Sequence, residues 1–242
     1  MGVKLRSIGA VTTSLLLLVV GVSAAQARTA QHGPKHRVGK GTSSNWAGYA
    51  IDGSAATQAI GTWTQPSVTC MPGENSWSSP WVGIDGDNSN TVEQIGTDSD
   101  CQSGQAVYYA WYEMYPKSLV QLSMAVHPGD SFTGAVSYLG NGSFSLKLTN
   151  NKTGVSFTTT QSSKKAKRSS VEWIMEGPSN GLLSNFGSIP FSAASTTING
   201  QTGGLSSFPS AQSITMVSGS GAVRAQPSAV SGDGFTVTWQ HA

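Results

Sequence analysis

Short runs of alternating apolar and polar residues, separated by turn residues, follow one another from Ser43 to the end of the chain. Successive side chains of a strand point to opposite faces, so this alternation predicts strands that bury one face. The predicted strands are Asn45–Ile51, Ala59–Thr64, Pro80–Ile84, Thr91–Thr97, Ala106–Met114, Leu119–Val126, Phe132–Leu139, Ser143–Leu148, Val155–Thr160, Ser170–Glu176, Ser213–Val217 and Phe235–Gln240.

Paired turn residues support this pattern, and no convincing amphipathic helix interrupts it. Asp85-Gly86, Asn141-Gly142 and Asn199-Gly200 are all pairs that favour tight hairpins. Many short strands with frequent turns are typical of a sandwich or a barrel. We therefore expect residues 43–242 to form one all-β domain, a size that such folds often reach.

The first 27 residues predict a secretory signal. Lys4 and Arg6 precede the mostly apolar run Val11–Val22, and small residues follow up to Ala27. The apolar run is shorter than the ~20 residues that a membrane span needs. We expect cleavage after Ala27 and a secreted, extracellular protein that does not use the membrane.

Residues 28–42 form a basic tail. The first 40 residues hold six bases and no acid, which leaves eight bases against twelve acids in the rest of the chain. The folded part is therefore acidic, and this balance gives no support to a nucleic-acid partner. The tail has no periodicity, so it is either disordered or a short prosegment.

Two further features of composition fit an exported protein. Cys70 and Cys101 are the only cysteines of the chain, and in an exported protein they are expected to form a disulfide. Charged residues make up only 11% of the chain. A fold with few ion pairs loses little stability when its carboxylates are protonated, so the chain can tolerate acid.

Carboxylates and aromatic residues share faces on three predicted strands. In VEWIME, Glu172 and Glu176 lie on one face, and the residues on the opposite face suit a core. The neighbouring strands place Gln94 with Asp98, and Glu113 with Trp111 and Tyr109. These positions predict an open cleft, because exposed aromatic residues beside carboxylates are unusual on a solvated sheet face.

Five ordered blocks carry a resemblance to a known family. SNWAGY, WVGIDGD, QIGTD, AWYEMYP and VEWIMEGP, between Ser44 and Pro178, resemble the signature blocks of the glutamic peptidases, also called eqolisins. The resemblance implies a secreted, acid-active endopeptidase that needs no metal or cofactor. It also implies two packed, curved antiparallel sheets, a β-sandwich of the concanavalin-like jelly-roll type.

The resemblance also assigns roles to residues. Gln94 and Glu176 match the catalytic glutamine and glutamate, with Glu172 as a less favoured candidate for the glutamate. Tyr109 departs from the fungal members, which carry an acid at that position. The positions that match the cleft or its support are Trp46, Trp81, Asp85, Asp98, Trp111 and Glu113.

The expected partners follow from this assignment. Protein or peptide substrates would enter the cleft of a monomeric enzyme. The basic tail could lie across the acidic cleft at neutral pH, and acid would neutralise the cleft carboxylates and release it. A tail without this role is the alternative.

Two other classes of function remain open from sequence alone. Trp46, Trp81, Tyr109 and Trp111 could stack on sugars, with Glu113 and Glu176 as paired carboxylates of a glycosidase. Glu172 and Glu176 are unsuitable as such a pair, since four residues of strand separate them by about 13 Å, against the ~5–5.5 Å of a retaining enzyme. The third class is an inactive binding domain.

Overall fold

The computed structural model describes residues 1–2, 32–178 and 181–242. Apart from residues 1–2, the predicted secretory signal lies outside the described residues. The strands are β1 Arg37–Gly39, β2 Thr42–Ser43, β3 Trp46–Asp52, β4 Gln58–Thr64, β5 Ser76–Trp77, β6 Ser79–Ile84, β7 Val92–Gln102, β8 Gln105–Tyr115, β9 Val120–Leu122, β10 Ser131–Gly140, β11 Ser143–Asn150, β12 Ser156–Ser162, β13 Ser170–Glu176, β14 Leu182–Leu183, β15 Ser188–Ile198, β16 Gln201–Gly204, β17 Gln212–Val217, β18 Val223–Pro227 and β19 Phe235–Trp239.

The strands form two packed sheets, which confirms the all-β prediction. The first sheet has the order β9–β8–β7–β6–β13–β3–β17, and its long pairings are antiparallel. The second has the order β12–β11–β10–β4–β15–β19–β18. Strand β17 also pairs with β18, so it joins the two sheets at one edge. The only helix in the described ranges is the short 3₁₀ turn Leu205–Ser207, and none there could cross a membrane.

Indole rings lock the two sheets together. The Trp63 indole N–H of β4 donates to Thr97 Oγ1 of β7 at 2.9 Å. The Trp173 indole N–H of β13 donates to the Ile60 carbonyl of β4 at 2.6 Å. Both rings are buried, so each indole N–H finds a partner in the opposite sheet, as a buried donor requires. This core leaves the other face of the first sheet available for chemistry.

A bulge and a loop account for two of the differences from the sequence prediction. Strand β15 was not predicted, because a register shift between Ser192 and Ser195, with Ala193 at φ 48°, breaks its alternation. Asn141-Gly142 and Asn199-Gly200 have positive φ at both residues and form tight hairpins, as expected. The prediction for Asp85-Gly86 was wrong, since a longer loop joins β6 to β7.

The predicted disulfide between Cys70 and Cys101 is present. Cys101 lies near the end of β7, the strand that also carries Gln94. The bond therefore ties the loop before β5 to one of the central strands of the first sheet.

Candidate active site

The register of four neighbouring strands arranges the predicted site residues in rows. We call the face of the first sheet that points away from the second sheet the site face. One row contains Glu172, Gly83, Gln94 and Glu113, on β13, β6, β7 and β8 in turn. Glu176 lies four residues from Glu172 along β13 and pairs with Ser79 of β6. The alternation predicted in the sequence therefore holds on all three carboxylate-bearing strands.

Two glycines make room for tryptophan side chains between these rows. A Cβ on Gly83 would lie 3.0 Å from Trp81 Cζ3 and 3.2 Å from Gln94 Cβ. A Cβ on Gly96 would lie 2.6 Å from Trp81 Cβ and 2.9 Å from Trp111 Cζ2. Only a residue without a side chain fits at Gly96, so the side chains of Trp81 and Trp111 both pack against that position.

Glu176 is buried in a ring of hydrogen-bond donors. Its Oε2 accepts the Trp81 indole N–H at 2.8 Å, and its Oε1 accepts Asn45 Nδ2 at 3.1 Å. The Gly33 backbone N–H also donates to Oε1, at 3.1 Å. Burial raises the pKa of Glu176 well above its ordinary value, and the charge of Glu113 adds to this.

Gln94 is oriented by Glu113. The Gln94 amide Nε2 donates to Glu113 Oε2 at 2.8 Å. Its Oε1 is buried and accepts no hydrogen bond from any described residue. Burial raises the pKa of Glu113 to about 8, with the charge of Asp98 adding to it. One amide N–H and the carbonyl oxygen of Gln94 thus remain for a small molecule.

Asp98 fixes the second indole. Its Oδ1 accepts the Trp111 indole N–H at 2.6 Å and the hydroxyl of Ser79. Its Oδ2 accepts the Tyr109 hydroxyl at 2.6 Å, and the same hydroxyl lies 3.2 Å from Asp100 Oδ2. Burial raises the pKa of Asp98 to about 7. Asp98 therefore fixes the orientation of the Trp111 indole.

Asp85 holds two loops together and does not contact Gln94 or Glu176. Its carboxylate accepts the backbone N–H groups of Arg168 and Ser169, at 2.7 and 2.9 Å. It ties the β6–β7 loop to the residues that precede β13. Its charge also raises the pKa of Glu172, for which burial is the largest cause.

The site face is covered, whereas the sequence predicted an open cleft. Trp46, Trp81 and Trp111 are fully buried. Residues 32–36, which we call the cover segment, lie over them. The His32 ring stacks on Trp111 with ring centroids 4.0 Å apart, and its Nε2 lies 3.5 Å from Asp98 Oδ1.

The backbone of the cover segment is held at several points. The Trp46 indole N–H donates to the Gly33 carbonyl, and Asn45 Nδ2 donates to the Pro34 carbonyl, both at 3.1 Å. The Lys35 N–H donates to the Gly86 carbonyl at 3.0 Å. Together with the Gly33 N–H bond to Glu176, these contacts hold an extended peptide against the site face.

The side chain of Lys35 forms a buried ion pair. Its ammonium contacts Asp87, and only 5% of the Lys35 side chain is exposed. Burial lowers the pKa of Lys35 to about 8, whereas the charges of Asp52 and Glu172 act in the opposite direction. Arg37 lies 4.0 Å from the same carboxylate, but its side chain is half exposed.

Register and contacts point to different glutamates as the partner of Gln94. Glu172 is level with Gln94 in the sheet, with only Gly83 between them. Glu176 is linked to Gln94 through the Trp81 indole, whose N–H binds Glu176 and whose ring edge lies over Gly83 beside Gln94. The charge of Glu113 acts on Glu176, whereas the charges near Glu172 are those of Asp85, Asp52 and Lys35.

Several residues of the site were not predicted individually. Asn45 lies within the SNWAGY block, so its proximity to Trp46 was a usable signal. Ser79 lies two residues before the WVGIDGD block, and Asp87 is the last residue of that block. The basic charge of the tail indicated that it could lie across the cleft, but the individual contacts of His32 and Gly33 could not be predicted, because they are with residues far along the chain.

Comparisons with known proteins identify the family of the chain. Residues 44–239 match the family model described as the peptidase A4 family. Aspergillopepsin-2 of Aspergillus niger is 34% identical over 224 residues, covering 81% of this chain and 78% of that protein. Scytalidopepsin B of Scytalidium lignicola is 32% identical over 164 residues, covering 64% of this chain and 60% of that protein.

Solved structures of glutamic peptidases are also similar to this chain. The chain is similar to scytalido-glutamic peptidase with a transition-state analogue inhibitor, at a TM-score of 0.71 and 28% identity, over 81% of this chain and 98% of that one. It is also similar to aspergilloglutamic peptidase from Aspergillus niger, at a TM-score of 0.59 and 34% identity, over 68% of this chain and 99% of that one. These matches decide against the carbohydrate-active alternative. The chain belongs to the peptidase A4 family and is a glutamic endopeptidase.

Proposed function

We propose that the chain is a secreted acid endopeptidase in which Glu176 is the general base and Gln94 stabilises the oxyanion. The observation that carries this proposal is the Gln94 amide, which keeps one N–H and its oxygen unused while Glu113 fixes its plane. Secretion is supported by the charged and apolar start of the chain and by the disulfide.

The reaction needs one water and two residues. With Glu176 ionised, its carboxylate takes a proton from a water that attacks the scissile carbonyl carbon. The spare N–H of Gln94 donates to the oxyanion that develops on that carbonyl. Protonated Glu176 then gives its proton to the leaving nitrogen, and the carbon–nitrogen bond breaks.

The Gln94 amide and the Glu176 carboxyl are groups that can act at acidic pH. An amide donor does not titrate in this range, whereas a histidine base would be protonated below its ordinary pKa of about 6.5. Glu176 must be ionised for the first step, and burial is the largest cause of its raised pKa. Water that enters when a substrate replaces the cover segment reduces this burial, and the Trp81 and Asn45 donors continue to favour the carboxylate.

Hydrolysis of a denatured protein between strongly acidic and neutral pH tests the proposal. We expect activity in acid and little at neutral pH, in the presence of a metal chelator as well as without it. Product peptides separated by mass spectrometry would show internal cleavage sites. Activity restricted to neutral pH, or lost to the chelator, would contradict the mechanism.

We also propose that the cover segment inhibits the enzyme at neutral pH. It occupies the site face, and it buries the general base under the Gly33 N–H. A protein or peptide substrate cannot reach Glu176 while the segment stays in place. The segment therefore blocks access and also keeps the pKa of Glu176 raised.

Its release in acid has a different origin from the expected neutralisation of carboxylates. The pKa values of Glu113, Asp98 and Glu176 are raised by burial, so these groups bind protons readily in the closed form and do not drive opening as pH falls. Burial lowers the pKa of His32 to about 3. The open form binds a proton at His32 near pH 6.5 and the closed form only near pH 3, so His32 opposes closure across that window, whereas the three carboxyl groups favour it.

Replacing His32 with Phe should therefore shift the opening to lower pH. The Phe ring can still stack on Trp111 but cannot take a proton, so the main acid-sensitive group of the segment is lost. We expect wild-type activity to appear as pH falls below about 6.5, and the variant to need a more acidic pH. Activity against pH, measured on a soluble peptide, checks this. Identical profiles for the two proteins would contradict the role of His32.

A further inference from the structure

The cover segment lies in the site with one peptide nitrogen at the atom that the mechanism requires. The Gly33 nitrogen is 3.1 Å from Glu176 Oε1. In the reaction described above, Glu176 gives its proton to the leaving nitrogen of the scissile bond. The nitrogen of the His32–Gly33 bond is therefore within hydrogen-bond reach of the group that would protonate it.

The residues on either side continue this arrangement. His32, on the acyl side of the bond, stacks on Trp111, in the part of the site face that also holds Gln94. On the leaving-group side, the carbonyls of Gly33 and Pro34 accept the Trp46 and Asn45 side-chain donors. These contacts use backbone atoms that any polypeptide offers, so a foreign chain can follow the same path.

We propose that the cover segment marks the path of a substrate, with the His32–Gly33 bond in the scissile position and Asp87 selecting a basic residue. Trp111 then binds the side chain on the acyl side of the cleaved bond. Asp87 binds the third residue on the leaving-group side, where Lys35 lies in the chain itself. The inference rests on the proposed function, since it takes Glu176 as the catalytic glutamate.

The Asp87 site has the properties of a specificity pocket for a cation. The Asp87 side chain is fully buried and the Lys35 side chain nearly so. The charges of Asp52 and Glu172 also favour the charged form of Lys35. A neutral side chain of similar length would leave the buried Asp87 carboxylate with only the half-exposed Arg37, 4.0 Å away, as a counter-ion, which is costly.

The cover segment itself is held in a state that protects its bond. Burial raises the pKa of Glu176, which opposes the ionisation that it needs to take a proton from a water. Its Oε1 is also filled by the N–H groups of Gly33 and Asn45. When the segment loosens in acid and water enters, the oxygen of that water adds to the His32 carbonyl carbon. The bond to Gly33 N breaks, and that nitrogen receives the proton through Glu176.

The test is a peptide of residues 28–38, RTAQHGPKHRV, given to the acid-activated enzyme, with its products weighed by mass spectrometry. We expect RTAQH and GPKHRV. A second peptide with Gln in place of the lysine should be cleaved with about tenfold lower kcat/KM, the size of one charge-assisted hydrogen bond. A third peptide, with Gln in place of the arginine that corresponds to Arg37, is the matched control and should change by less than about twofold, because Arg37 is half exposed.

The Asp87→Asn enzyme completes the test. The ratio of kcat/KM between the lysine and glutamine peptides should fall from about ten to about one in this variant. Cleavage at another bond, or an unchanged preference for lysine in the variant, would overturn the inference. A denatured protein serves as the parallel substrate. If it is hydrolysed while the peptide is cut elsewhere or not at all, the path is wrong and the proposed function stands. If neither substrate is cut in acid, both the substrate path and the proposed function are wrong.

Discussion

Replacing Glu176 with Gln is expected to lower kcat on a denatured protein by about 10³- to 10⁴-fold. This loss is the upper range for a single acid–base group, and it is expected because Glu176 serves first as base and then as acid. The amide oxygen of the variant can accept either the Trp81 or the Asn45 donor, while its NH₂ group faces the other, so the variant keeps the size of the side chain but only one of these two hydrogen bonds. Steady-state kinetics in acid measures the effect, and circular dichroism checks the fold.

Glu172→Gln is the matched variant for this prediction. Glu172 is buried on the same strand, four residues away, and is level with Gln94 in the sheet. We expect its kcat to stay at least about 100-fold above that of Glu176→Gln, because general base catalysis requires only one of the two. The opposite ranking would transfer the role of base to Glu172 and would show that register, rather than the Trp81 contact, identifies the partner of Gln94.

Gln94→Ala is expected to lower kcat by about 10²- to 10³-fold with a small change in KM. The Gln94 N–H acts on charge that develops only in the transition state, and the loss of one such donor has an effect of this size. The measurement is kcat and KM on one peptide in acid. A large rise in KM with kcat unchanged would make Gln94 a binding residue instead.

Gln94→Glu tests whether the amide group of Gln94 or only the size of its side chain is needed. The new carboxyl has nearly the same size but cannot donate an N–H when ionised, and it would lie beside Glu113. We expect it to be about as inactive as Gln94→Ala. An active Gln94→Glu variant would mean that a protonated carboxyl can replace the amide N–H as the donor, whereas an active Gln94→Ala variant would show that position 94 needs no donor.

Most of the fold was predictable because its strands alternate cleanly. VEWIME places Val171, Trp173 and Met175 on the core side, where Trp173 bonds the opposite sheet. Its two glutamates lie on the site face together with Ile174. Strand β15 was missed because the bulge near Ala193 shifts the alternation halfway along the strand. A pattern based on period two cannot continue across such a shift.

The site was predictable in its members but not in its arrangement. Alternation and the ordered blocks identify Gln94, Glu113 and Glu176, since each property is local to one strand. Which glutamate lies level with Gln94 depends on the pairing of β13, β6 and β7, and this register is decided by the whole sheet. The covered state of the site face depends on contacts between Gly33 and Glu176, 143 residues apart.

The place where the cover segment joins the domain has a consequence for any inhibitor. Residues 37–43 follow the segment directly, and Ser43 is held beside β17. The segment is thus a ligand that is covalently tethered to the domain by a short linker. Its effective concentration at the site is in the millimolar range typical of short tethers. Dilution cannot release it, and a separate competitor must outbind a partner that never diffuses away. Inhibitor potencies measured on the full chain should therefore be weaker than those measured after residues 28–36 are removed.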